Sequence, residues 1–143
     1  MSRHLRSAPG GLALVGLPRL LGTAVALWIL PAVIGAVLLQ IVDTGSGDMS
    51  FRAWAFASAL GLSPLFSWAG WLVGLPLVAL ALRAGWFGWL PAALIGAFAG
   101  WLVGQAAGVE AGGPGIFGLV VMVALRALLG RAVPAAFDPG PGR

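Results

Sequence analysis

"LLGTAVALWILPAVIGAVLLQIV", Leu20 to Val42, carries no charged side chain, and its polar ones are Thr23 and Gln40. An α-helix needs about 20 mainly apolar residues to cross the roughly 30 Å hydrocarbon core of a bilayer, so this stretch reads as a membrane span. Outward from it, three more runs satisfy the same test: Pro64 to Leu82, Trp86 to Val109, and Gly115 to Val133, the last interrupted by Arg126. The expected fold is an all-α integral membrane protein, a four-transmembrane-helix bundle in a single domain over residues 1–143.

Composition points the same way. Hydrophobic residues make up 60% of the chain and charged residues 8%, against roughly 45–50% and 25% in soluble domains. So few charges cannot clothe a core of that size, and lipid must solvate most of the surface. All eight basic residues are arginine, and lysine, asparagine, tyrosine and cysteine are missing. That bias reads as a GC-rich bacterial genome and places the chain in a bacterial inner membrane. Without cysteine there is no disulfide and no thiolate chemistry. The net charge of +4 comes from arginines scattered at the ends of apolar runs, so topology explains it and no nucleic-acid partner is expected.

Orientation follows from the arginine excess of cytoplasmic segments. Arg3, Arg6 and Arg19 precede or open the first run, Arg83 separates the second from the third, and Arg131 and Arg143 close the fourth. The opposite side carries Asp43, Asp48 and Glu110, with Arg52 as its only base. Both termini are therefore expected in the cytoplasm, with residues 1–10 and 135–143 as disordered tails. The first apolar run exceeds a signal-peptide core of 7–15 residues and reads as an uncleaved span.

Phe51 to Leu82 is mainly apolar throughout and would measure about 48 Å as one helix, too long for an untilted span. Ser63-Pro64 offers a break, because serine caps helices and proline suits their first position. Residues 51–62 then lie in the outer interface, anchored by Phe51, Trp54 and Phe56, or form a re-entrant hairpin.

The hexapeptide "AGWLVG" occurs at Ala69–Gly74 and again at Ala99–Gly104. Both copies fall in the outer halves of neighbouring antiparallel spans. Gly70 and Gly74 form a GxxxG, and Gly96, Gly100, Gly104 and Gly108 extend the spacing along the third span. Helices in lipid associate by close backbone approach past small residues, so the copies read as two sides of one helix contact, with Trp71 and Trp101 off the seam. "LPAVIGA" from Leu30 echoes "LPAALIGA" from Leu90, indicating a duplicated two-helix unit. Pro31, Pro76 and Pro91 lie within spans, where proline removes a backbone hydrogen bond and kinks the helix.

Catalytic chemistry has little to work with. The single histidine, His4, stands in the N-terminal tail, and the four carboxylates, Asp43, Asp48, Glu110 and Asp138, fall in loops or a tail. No pair has the spacing of an acid–base couple or a metal site, Ser58, Ser63 and Ser67 have no base, and no phosphate loop is present. The chain is expected to be no enzyme and to carry no metal and no cofactor. Gln40 and Gln105, near the outer ends of the first and third spans, are candidates for hydrogen bonds between helices.

One charge stands well inside a span. Arg126 is reached about 17 Å along the fourth helix, counted from Gly115, and its Cα–Cβ bond tilts away from the cytoplasmic side. It is the candidate contact for an anion or a partner: a lipid phosphate, backbone carbonyls freed by Pro76 or Pro91, or an acidic residue of another protein. The expected partners are membrane lipids and another membrane protein or a second copy. The functional expectation is a non-catalytic accessory or assembly subunit of a membrane complex. Its rival is a small oligomeric transporter or channel with a glycine-lined path.

Overall fold

The structure is a computed structural model that describes residues 6–44, 51–110 and 112–137. It is helical: α1 (Gly11–Val15), α2 (Leu17–Thr44), α3 (Phe51–Ala84), α4 (Trp89–Ala106), α5 (Gly112–Ala132) and a 3₁₀ turn at Pro134–Ala136. No strand occurs among the described residues. Helices α2 to α5 are each long and apolar enough to cross a membrane, and at most 28% of the residues in such a window are buried. Ile34, Leu72, Leu94 and Ile116 all project outward. A helix apolar around its whole circumference belongs in a protein core or in lipid. With so much of it exposed, the chain is a multi-pass membrane protein.

The four long helices form two antiparallel hairpins. In α2–α3, Gly35 lies directly on the backbone of Ala57 and Gly61, and the Trp28 indole N–H donates to the Pro64 carbonyl at 3.1 Å. In α4–α5, Gly96 lies on the backbone of Gly118, and Gly100 on that of Pro114. Where a side chain would stand, backbone meets backbone, and this is how small residues bring helices together in lipid.

The two hexapeptides face each other more loosely than their repetition implies. A Cβ placed on Gly70 would meet only Val103 Cγ2, at 3.8 Å, and one on Gly74 would meet the mobile end of Met122 and, at 3.9 Å, Ala99. The tight seam of α4 is with α5, not α3. Gly96, Gly100 and Gly104 are buried along α4, but Gly108 does not belong to the stripe. It ends the helix with φ +66°, its N–H donating to the Gln105 carbonyl and that of Val109 to the Gly104 carbonyl. This pair of bonds is the Schellman ending, in which glycine takes the left-handed position.

The helices pack most densely at one end, called here the base, where α2 and α4 begin and α3 and α5 end. Leu20, Val78, Leu82, Phe87, Leu125 and Leu129 are fully buried there. The segment before α1 straps across it. The Ser7 N–H donates to the Gly85 carbonyl at 3.0 Å, Ala8 N–H to Ala136 at 2.8 Å, and Gly10 N–H to Arg83 at 3.2 Å. The Ser7 hydroxyl, itself buried, accepts the Phe87 N–H at 3.2 Å. Residues 6–10 and 135–137 are thus docked parts of the fold rather than tails; the remainder of the expected tails lies outside the described residues. Their pairing satisfies backbone groups that would otherwise be left unbonded at helix ends.

The expected break at Ser63-Pro64 is absent. Helix α3 runs unbroken through Pro64 and Pro76, and the Ser63 hydroxyl is buried without a partner rather than capping a new helix. Neighbouring helices can compensate for proline in membrane helices; the Trp28 indole ties α2 to α3 at this point, donating to the Pro64 carbonyl rather than to the Leu60 carbonyl that the proline leaves free. Residues 51–62 are therefore a continuation of α3, neither a separate interfacial segment nor a hairpin. At 1.5 Å per residue, α3 measures about 51 Å and α4 about 27 Å. Pro91 does not interrupt a span either, since it falls in the first turn of α4, where an N–H has no helical partner to lose.

Candidate functional site

Away from the base the two hairpins separate. Between α3, from Phe56 to Trp71, and α4–α5, from Gly96 to Met122, lies a cleft of about 820 Å³. Among the described residues no charged one lines it; its polar side chains are Ser63, Ser67 and the indole of Trp71. Gly70, Gly96, Gly100, Gly113 and Gly118 contribute to the lining. Two contrasting surfaces result on one set of helices. Gly96 and Gly100 press on α5, whereas a Cβ on Gly113 would meet nothing within 4 Å.

A second site lies at the base. Arg126 is only 5% exposed. Its guanidinium carbon lies 3.8 Å from the ring centre of Phe137 and 4.9 Å from that of Trp89. Cation–π contacts of this kind contribute from about 0.5–1 kcal/mol when exposed to about 2 kcal/mol or more when desolvated. They occupy the faces of the guanidinium and leave its in-plane N–H groups for hydrogen bonds. The Nε–H is buried without a partner.

The direction of this side chain has a local cause. Cα–Cβ bonds of α5 tilt away from the base, yet the Arg126 tip rests over Gly130, where a Cβ would come within 2.5 Å of Nη1. Glycine one turn on leaves a channel along which the long side chain bends towards the helix end. Phe137 then closes over it and packs on Phe87 with ring centres 6.4 Å apart. The resulting pocket, about 320 Å³, is lined by Trp89, Arg126, Ala127, Gly130, Arg131, Pro134 and Phe137. Among the described residues it therefore presents two cations and no carboxylate.

The other candidates stand elsewhere. Gln40 and Gln105 are exposed side chains on different hairpins. Trp101 is exposed and stacks on Phe98, while Trp71 packs against the base core. His4, Asp48 and Asp138 lie outside the described residues. Among the described residues no group of three or more histidine, cysteine or carboxylate side chains gathers. The aromatic partners of Arg126 escaped the sequence reading, because Phe137 fell in an expected tail. Gly130, one helical turn beyond the arginine, was the available signal.

Comparison with family models, with curated proteins and with solved structures finds no match for this chain.

Proposed function

We propose that the chain is a non-catalytic accessory or assembly subunit of a membrane complex, and that a transmembrane segment of its partner protein enters the cleft between α3 and α4–α5. The observation that carries this reading is the cleft itself: large, uncharged and floored by glycines, within helices that elsewhere use glycine for backbone contact. Small-residue surfaces of this kind are what a helix needs to approach closely in lipid. An ion path draws no support from such a lining, since conduction relies on rings of carbonyls or charges.

The setting proposed is a bacterial inner membrane, crossed by α2 to α5. Arg6, Arg19, Arg83, Arg126 and Arg131 gather at the base, against Arg52 and Glu110 among the described residues at the other end. The arginine excess supports a cytoplasmic base. We read the hairpins as copies of one two-helix unit, because Gly35 of "LPAVIGA" and Gly96 of "LPAALIGA" both stand at a backbone-to-backbone contact in their hairpins.

Two experiments test this. Purification in mild detergent, followed by mass determination and identification of accompanying chains, should yield a stoichiometric, unrelated membrane protein. Gly70→Leu should melt like the parent and yet lose that protein, because residue 70 lines the cleft and a Cβ there meets only Val103, at ordinary contact distance. A pure homo-oligomer would transfer the reading to the oligomeric transporter or channel. For topology, the natural absence of cysteine makes single-cysteine labelling direct. Glu110→Cys should react with an impermeant maleimide on intact cells, and Trp86→Cys only after the membrane is opened; the reverse pattern refutes the orientation.

A further inference from the structure

We propose that the pocket around Arg126 binds a phosphate-bearing anion, a chemistry shared by a phospholipid headgroup and free inorganic phosphate. The site is separate from the cleft and stands or falls independently of the partner reading.

The argument begins with a charge that cannot be discharged. Arginine stays protonated in proteins, and Arg126 is buried in a span, where an uncompensated cation is strongly disfavoured. The two rings stabilise its faces and provide no counter-charge. The buried Nε–H has no partner, and the Arg126 side chain lines the pocket that Arg131 also lines. A planar fork of donors with a second cation nearby matches the oxygens of a phosphate, which accepts paired N–H bonds. Arg131 is exposed at the rim and Arg126 lies at depth, so an anion can enter from the end of α5 and meet both.

Place in the fold favours the lipid source. The pocket opens where α5 ends and the base carries Arg6, Arg19 and Arg83 on its exposed surface. Basic pockets between helices at the cytoplasmic end of spans are where anionic headgroups are held. Met122 and Leu125 fill α5 on the cleft side of Arg126, which separates this polar pocket from the apolar cleft. Asp138 directly follows Phe137 in the chain, and the test accordingly includes it as a rival internal partner.

The chain is purified in mild detergent, stripped of lipid and melted with phosphatidylglycerol, phosphatidylcholine or millimolar inorganic phosphate; native mass spectrometry counts bound lipid. Phosphatidylglycerol should raise the melting temperature and remain bound at one per chain, while phosphatidylcholine does neither. Arg126→Gln should weaken phosphatidylglycerol binding at least tenfold, Arg131→Gln severalfold, and Asp138→Asn should leave it equal or stronger. Stabilisation by the lipid alone identifies a headgroup site, and stabilisation by inorganic phosphate as well identifies a site for the free anion. Equal responses from the parent and Arg126→Gln overturn the proposal. A parent indifferent to both anions, with matching losses of stability in Arg126→Gln and Asp138→Asn, assigns Arg126 to an internal ion pair and overturns it too. Should Arg126→Gln fail to fold, Arg131→Gln decides, and an unchanged response in that variant refutes the two-arginine site.

Discussion

Leucine at position 96 or 100 is expected to abolish the folded protein in detergent, whereas leucine at position 70 is expected to leave its melting temperature close to that of the parent. All three glycines belong to runs of the same small-residue spacing, but they face different things. A Cβ on Gly96 would lie against the Gly118 carbonyl, and one on Gly100 against that of Pro114, both backbone groups that cannot rotate aside. The helices must then part along α4–α5, the most extensive contact in the molecule. Overpacking alone costs about 1–3 kcal/mol. Separation of the two backbones adds lost packing, so each change should cost about 3 kcal/mol or more, a large share of marginal stability. Fluorescence-detected size exclusion and thermal melting read the result. Variants at 96 and 100 that melt like the parent would mean that α4 and α5 are not in backbone contact.

The second large effect falls on the other hairpin and is unequal between the partners. Gly35→Ala should be severely destabilising, because even one methyl group would lie against the Gly61 amide nitrogen and the Ala57 carbonyl. Gly61→Ala should be tolerated, since a Cβ there meets nothing within 4 Å and alanine is the better helix former by about 1 kcal/mol. Simple counting of small residues treats the two as equal halves of one contact. Thermal melting of the pair distinguishes the accounts: equal losses would show that the hairpin crosses elsewhere. Loss at 35 alone supports the crossing described.

Membrane class and the number of spans were legible because both rest on local composition, and hydropathy survives any arrangement of neighbours. Helix pairing was not. Small residues recur on every span, and nothing local says which neighbour Gly100 will meet. The sequence reading matched the two identical hexapeptides, although Pro114 and Gly118, four apart at the start of α5, are the residues that receive the α4 stripe. Position 64 shows a different failure. Proline ends helices in water because the freed carbonyl needs a donor, but beside another helix a break is not required. The docking of Ser7 and Ala8 depends on main-chain groups, which leave no pattern in side chains. Arg126 was conspicuous as a lone charge, yet its setting was hidden because Trp89 opens α4 and Phe137 lies beyond the turn that follows α5.

The strap at the base also imposes an order on how the molecule is made. Ala8 is bonded to Ala136, so two stretches that leave the ribosome far apart in time must find each other. At 5–20 residues per second, the carbonyl of Ala136 arrives roughly 6 to 26 s after the amide that it accepts. Ser7 can settle on the Gly85–Phe87 turn during that interval, whereas the bond from Ala8 must wait for the stretch after α5. Phe137 follows Arg126 in the chain by only roughly 0.6 to 2 s at the same rate, so the ring that covers the arginine is made almost together with it, and the strap joins the two parts of the chain that are made furthest apart in time.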